Sequence, residues 1–376
     1  MAVEEPRIEQ EWRVADGVVR VYRLFDVADA VDLPHAEKLL AAPRSRLRLE
    51  SAGSSALEIP RPPVQVALGT RVLPLSSGPH EAQASAKLYD YGVASIQYHL
   101  PIAPGTPLGD LVPLSEELVA QPTPALDAAA RREAEDLARA LGPALEHPHT
   151  WEGLETYQVF FVRSLEIPTS APEILAAAPL GRLLLGESSP VRLSIAERDD
   201  VLKHAFSYLE DDLAVVDWNS AFVLEPSGVG DIPDLLEFAT AHLLELRYYD
   251  SLLDRELHAI YDEMEENGVT PSVFTRRYRR LQQRTAALLL ELSEMIERLE
   301  NAVKIIGDFY LARVYRSAVR RFRLPAWQES VLRKQKLLAG VNDLLSDVAD
   351  TRRGELLEMT VILLILWEIL YAFLRH

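Results

Sequence analysis

Proline divides this chain more sharply than any other residue. Of 24 prolines, 18 fall between Pro43 and Pro190, four stand at Pro226, Pro233, Pro271 and Pro325, and none follows. Proline deletes a helical N–H donor and clashes with the preceding turn, so the first part must be broken by turns while the last can sustain long helices. In the first part, alternating or β-branched runs predict strands at Val18–Phe25, Val64–Leu68, Tyr91–Tyr98, Tyr157–Leu165 and Leu213–Leu224. Helical patterns lie between them at Pro124–Leu145 and at Ser194–His204, the second opened by a Ser194…Glu197 capping box. The fold class expected is α+β, with 376 residues and 48% hydrophobic content sufficient for more than one core. Three segments follow: an α+β domain over 1–230, a helical hairpin or coiled coil over 231–355, and an apolar terminal helix over 356–374.

From Asp231 the period becomes helical. Leu246, Tyr249, Leu253, Leu257, Ile260 and Met264 recur three or four apart, and Gly268 with Pro271 supplies a break. A second helix carries a heptad seam of Leu281, Leu288, Leu292, Met295, Leu299, Ala302 and Ile306, with Thr285 filling its first gap. Leu288, Leu292, Met295, Leu299 and Ile306 are the expected oligomer seam. Gly307 and Asp308 end that helix, a shorter one runs to about Arg323, and after Pro325 the last places Leu338, Val341, Leu345 and Val348 on one face.

Charge is unevenly spread. The chain carries −18, from 39 basic and 57 acidic residues, which argues against wholesale wrapping of nucleic acid. Between Arg276 and Lys336, however, 15 basic residues face six acidic ones. The basic stripe is read at Arg276, Arg277, Arg279 and Arg280, then at Arg313, Arg316, Arg320, Arg321 and Arg323. Anionic lipid headgroups and the phosphates of a ribosome or other RNA-rich particle both suit it. A solvated coiled-coil flank paired to the acidic domain is the alternative.

Leu356 to Leu374 is a 19-residue apolar stretch between Arg352-Arg353 and Arg375-His376. A helix of that length spans about 28 Å, close to the roughly 30 Å hydrocarbon core. Its Leu, Ile, Val and Phe residues favour insertion by roughly 5 kcal/mol, against about 3 for a central acid. The expected anchor comprises Leu356, Glu358, Ile362, Leu366, Trp367, Glu368, Leu370 and Phe373, with Glu368 neutralised or used in helix–helix contact. The acidic amino terminus has no signal-peptide pattern, and the flanking arginines would keep the bulk of the chain in the cytosol, at an inner (cytoplasmic) membrane. The alternative is a core helix of a soluble bundle.

Catalytic patterns are sparse. There is no P-loop, dinucleotide fingerprint, H-E-x-x-H or nucleophile elbow, and cysteine is absent, so no cofactor, metal site or small-molecule substrate is expected. His147 and His149 flank Pro148 in what reads as a loop, where two solvated side chains are the simpler reading than a metal pair. Glu210, Asp211 and Asp212 read as a polar turn. Asp217-Trp218-Asn219 interrupts an apolar strand, as a bulge or a buried hydrogen bond would.

The closing segment Arg353-Gly354-Glu355-Leu356-Leu357-Glu358-Met359, continuing through an aliphatic run to Glu368, resembles the "required for meiotic nuclear division" family. Asp308-Phe309-Tyr310, Tyr315, Val331 to Leu337 and Asp90-Tyr91-Gly92-Val93 are similar to further motifs of that family, with departures at Gln335 and Met359. The resemblance implies a non-enzymatic, coiled-coil, membrane-anchored protein whose eukaryotic relatives are mitochondrial, one of them linked to translation; the arginine-rich composition and the lack of a transit-peptide pattern fit a bacterial member. The leading expectation is therefore a homo-oligomeric scaffold that tethers a cytosolic partner, such as the translation machinery, to a membrane. The alternative is a soluble oligomeric enzyme with its site near Asp217, His147 or His149.

Overall fold

A computed structural model describes residues 11–40, 45–46, 62–120, 122–189, 193–266, 283–290, 292–293, 296 and 309–374. The chain divides into two compact units, Met1–Tyr248 with Leu299–Trp327 and Tyr249–Arg298 with Gln328–His376. The boundary read at 230 lies at the start of a helix, Asp231–Glu266, that contributes to both units.

The first unit is built on a mixed, largely antiparallel sheet. Its strands are β1 (Arg13–Asp26), β2 (Ala28–Val31), β3 (Ser45–Arg46), β4 (Val64–Leu75), β5 (Gly78–Leu88), β6 (Val93–Pro101), β7 (Thr106–Pro107), β8 (Leu145–Pro148), β9 (Glu155–Leu165), β10 (Ala205–Phe206), β11 (Leu213–Val216) and β12 (Ser220–Leu224). The main sheet runs β10-β11-β12-β9-β1-β6-β5-β4-β3, with β7 on the end of β1, and β2 pairs separately with β8. Its described ladders are antiparallel except β12 with β9. Strand alternation sends Val19, Val21, Ile96, Tyr98 and Phe160 into one core. Helices α1 (Leu33–Leu39), α2 (Val112–Ser115), α3 (Pro124–Leu141), α4 (Ala171–Ala177), α5 (Leu180–Leu185) and α6 (Ile195–Leu202) contribute to this unit. Leu126, Ala130, Ala134, Leu137 and Leu141 of α3 fall on the helical period and are buried in that core.

The other sheet face meets the first half of α7 (Asp231–Glu266) and α8 (Phe309–Arg321), through Phe238 against Tyr89 and Phe322 against Tyr157. One glycine is sterically required: Gly92 has φ +95°, and a Cβ there would lie 1.7 Å from the Ala28 carbonyl oxygen.

Several expectations need correction. The run read as one strand over Leu213–Leu224 is a hairpin, β11 and β12, turning at Asp217-Trp218-Asn219. The turn closes through Asp217 N–H to the Ser220 carbonyl at 2.8 Å. The helix read to Leu145 ends at Leu141, where Gly142-Pro143 redirects the chain into β8, so His147 lies on a strand rather than in a loop. Ser194 does cap α6, accepting from the Glu197 N–H.

In the second unit Leu253, Leu257 and Ile260 of α7, Thr285, Leu288 and Leu292 of a helical stretch, and Val331 and Leu338 of α9 (Leu324–Leu374) are buried. Lys334 of α9 is 2.9 Å from Asp250 and 2.6 Å from Asp254 of α7, and Ser330 donates to Asp250 at 2.7 Å. Helix α9 continues without interruption through the apolar stretch to Leu374, and from Met359 to Trp367 every residue is exposed. Among the described residues no helix is long and apolar enough to cross a membrane.

Candidate functional site

The first unit holds a cleft of about 460 Å³ between α3 and the segment that joins β8 to β9. Phe25, Val27, Ala134, Leu145 and Trp151 supply apolar wall, and Asp26 with His149 supplies polar wall. Asp26 ends the apolar strand β1 and is buried, while His149 follows β8, whose pairing with β2 carries it back to β1. His149 Nε2 lies 2.9 Å from Asp26 Oδ1, and Nδ1 lies 3.3 Å from Asp29 Oδ1. The imidazole stacks on Tyr248 with centroids 4.6 Å apart, and Trp151 meets the same tyrosine edge-on. His147, at φ +47°, is exposed and reaches Asp29 at 3.0 Å.

Burial pushes the Asp26 carboxyl up to about 6, against the opposing pull of the His149 hydrogen bond and charge. For His149 burial acts downward, but Asp26 and then Asp29 carry it above the usual histidine value. The expectation of two solvated histidines is therefore corrected for His149, which is held between two carboxylates. The signal in the sequence was Asp26 and Asp29, two acids three apart inside the otherwise apolar run Phe25–Val31. Both ring nitrogens of His149 face carboxylates, so the neutral ring has no spare acceptor for a substrate proton. Among the described residues no group of three or more His, Asp or Glu side chains is placed to hold a metal ion.

A second polar cluster is sealed between the sheet and α7. Lys87 Nζ donates to Asp234 Oδ1 at 2.8 Å and Glu237 Oε2 at 2.7 Å, and Gln97 donates to Glu237 Oε1 at 2.6 Å. Burial lowers the pKa of Lys87, but Asp234 and Glu237 outweigh it and hold the ammonium charged. Nearby His99 is pushed down to about 4 by burial and by Arg20 and Lys87. Asp217, the centre of the alternative enzyme site, is buried and taken by Arg321, whose Nε lies 2.6 Å away and whose Nη1 reaches Asp200 at 3.0 Å. Asp212 accepts from the Tyr208 and Leu209 N–H groups, as a polar turn requires. In the Lys87 and Asp217 clusters each charged side chain has a partner of opposite sign, although Asp217 Oδ2 is buried without a hydrogen bond.

The expected interaction residues are distributed differently. Of the basic stripe, Arg313, Arg316 and Arg320 are exposed along α8 and Arg323 in the turn after it, Arg321 is withdrawn into its carboxylate pair, and Arg276, Arg277, Arg279 and Arg280 lie outside the described residues. Of the seam, Leu288 and Leu292 are buried within the single chain, and Met295, Leu299 and Ile306 lie outside the described residues. Glu358, Ile362, Leu366 and Trp367 of the anchor are exposed on α9; the side chains of Leu356, Glu368, Leu370 and Phe373 lie outside those described.

Comparison with known proteins locates the first unit rather than an activity. Residues 16–231, from β1 to the start of α7, match the family described as "Uncharacterized protein MJ0711, N-terminal domain". The chain is similar to Uncharacterized protein MJ0711 of Methanocaldococcus jannaschii, 26% identical over 179 residues, which is 46% of this chain and 53% of the archaeal protein. It thus spans about half the length of the curated relative it matches. No solved structure matches. With more than half of its length matched, the chain belongs to the MJ0711 N-terminal domain family.

Proposed function

We propose that this chain is a non-enzymatic scaffold attached to a membrane through the end of α9. The observation that supports this reading is the run Met359–Trp367, in which large apolar side chains are 48% exposed at Ile362 and up to 70% exposed at Trp367. Successive residues of a helix turn by about 100°, so the seven apolar residues Val361–Trp367 point in every direction and no single neighbouring helix can cover them. An apolar medium can. The run Met359–Trp367 extends about 13 Å at 1.5 Å per residue, and past Glu368 the sequence resumes with Ile369, Leu370, Phe373 and Leu374. The resemblance to the "required for meiotic nuclear division" proteins, a homo-oligomeric state and capture of a cytosolic partner such as the translation machinery belong to this proposal. So does an inner-membrane location with the first unit in the cytosol.

The test is co-flotation of the full chain with neutral phosphatidylcholine vesicles, compared with a chain carrying Leu363→Ser, Leu364→Ser and Leu366→Ser. Flotation of the first and not the second is expected; equal behaviour of both would discard the attachment.

A second reading is favoured by the cleft itself: a small ligand bound between Trp151, Phe25 and the Asp26–His149 pair. It predicts that His149→Gln lowers ligand affinity without unfolding the first unit. A screen of small amines and aromatic acids that leaves the melting temperature unchanged would count against it.

A further inference from the structure

Helix α8 is strongly two-sided. Leu311, Val314, Tyr315, Ala318 and the following Phe322 are buried against the first unit, at the helical spacing of three and four. The opposite side presents Arg313, Arg316 and Arg320, again at three and four, over about 10 Å of helix, and Arg323 is exposed in the turn that follows, at φ +58°. Arg313 lies over the Tyr310 ring at 5.7 Å, and Arg320 Nε donates to the Arg316 carbonyl oxygen at 3.3 Å. Among the described residues none of these four guanidinium groups has a carboxylate within ion-pair distance, whereas Arg321 between them has two. In a chain of net charge −18, four exposed cations with no acidic partner among the described residues, while two acids serve the inward arginine, fit a surface that receives an external anion.

The amino-terminal end of the row carries apolar protrusions. Phe309 is 89% exposed, and the Tyr208 ring packs 5.6 Å from Tyr310, with Tyr208 72% and its neighbour Leu209 59% exposed. A face that reads RNA presents aromatic rings free to stack on bases. Here Tyr310 is already covered by Tyr208 and Arg313, and an exposed leucine has no base to stack on. Arginines beside protruding Phe, Leu and Tyr are the pairing found at the headgroup level of a bilayer.

We propose that this face of α8, with Phe309 and the Tyr208-Leu209 turn, docks on an anionic membrane surface, the arginines on lipid phosphates and the apolar side chains at the acyl boundary. The choice of a bilayer as occupant rests on the membrane-attachment reading, and it adds a second, charge-selective contact to it. The tail sets attachment; this face sets which lipids are preferred.

The experiment is flotation of the full chain on phosphatidylcholine vesicles with and without phosphatidylglycerol, at low and high salt. Wild type gains affinity with phosphatidylglycerol, and salt removes the gain. Changing Arg313, Arg316, Arg320 and Arg323 together to Gln removes the gain by about tenfold or more while leaving binding to neutral vesicles and the thermal melt in place. Phe309→Ser with Leu209→Ser gives a smaller, salt-independent loss. A wild-type chain indifferent to phosphatidylglycerol, or a four-Gln chain that keeps the gain, overturns the proposal. So does a single-stranded RNA oligonucleotide that binds through the same arginines and outcompetes the vesicles. If neutral vesicles fail to bind while the arginine-dependent gain persists, the tail reading fails and this one stands.

Discussion

The first unit and the end of α9 break the usual division of side chains in opposite ways. The sheet unit buries charge: Lys87, Glu237, Arg23 and Asp217 are almost wholly removed from solvent, each against a partner of opposite sign or a fixed acceptor. The end of α9 exposes Ile362, Leu363, Leu364 and Ile365 with nothing described against them. Burying charge is tolerable only where every member is paired. Exposing apolar surface over several turns is costly only in water. The first region thus meets its buried charges with partners inside its own fold, whereas the apolar side chains of the second have no described neighbour.

The comparison breaks most visibly at the buried charges. Lys87→Met leaves the buried Glu237 without its ion-pair partner, and Asp234 with Arg20 alone at 3.6 Å, and should cost about 3–5 kcal/mol in urea unfolding. Lys87→Met combined with Glu237→Leu should recover much of it. Arg321→Ala should approach the same loss by stranding Asp217, whereas Lys334→Ala, which breaks a partly solvated pair, should cost under about 1 kcal/mol. Gly92→Ala forces a positive φ on a residue with a Cβ and drives that Cβ into the Ala28 carbonyl, a loss of about 1–3 kcal/mol or failure to fold.

The cleft gives an intermediate, pH-dependent effect. His149 is raised by Asp26 and Asp29, so its contribution is full below the ordinary histidine value and fades as pH rises through the raised one. Asp26 is raised to about 6, so the fold favours its neutral form and loses that preference as pH rises from 4 through 6. Both signs agree: wild type should lose stability from pH 5 to pH 8 more steeply than a chain carrying Asp26→Asn with His149→Gln, as read by melting temperature. A flat wild-type profile that the two changes together leave unchanged would show the pair to be energetically idle. The smallest folding effect belongs to the other region. Leu363→Ser with Leu366→Ser should leave the stability of the sheet unit within about 0.5 kcal/mol of wild type.

What could be read from the chain follows the range of the interactions involved. Period and punctuation are local, so β1, β6, β9, α3 and the burial of Leu253, Leu257 and Ile260 in α7 followed from spacing alone. The β11–β12 hairpin did not, because its turn has neither glycine nor proline and is held by Tyr157, whose hydroxyl lies 3.0 and 2.8 Å from the carbonyl oxygens of Asp217 and Ser220. The Asp26–His149 pair joins residues 123 apart, and Lys87 with Glu237 joins residues 150 apart. Only a weak local sign, a charged residue within an apolar strand or helix face, announced either. The arginines of α8 illustrate both halves: the local excess of basic residues pointed to them, but the acids that single out Arg321 come from α6 and the β11–β12 turn.

The absence of cysteine allows the central claim to be tested by one probe. A Leu363→Cys chain labelled with a polarity-sensitive fluorophore should show a blue-shifted emission on addition of phosphatidylcholine vesicles, with quenching by nitroxide groups placed on the lipid acyl chains. An emission unchanged by vesicles, with no acyl-chain quenching, would show that Met359–Trp367 meets no bilayer and would contradict the account.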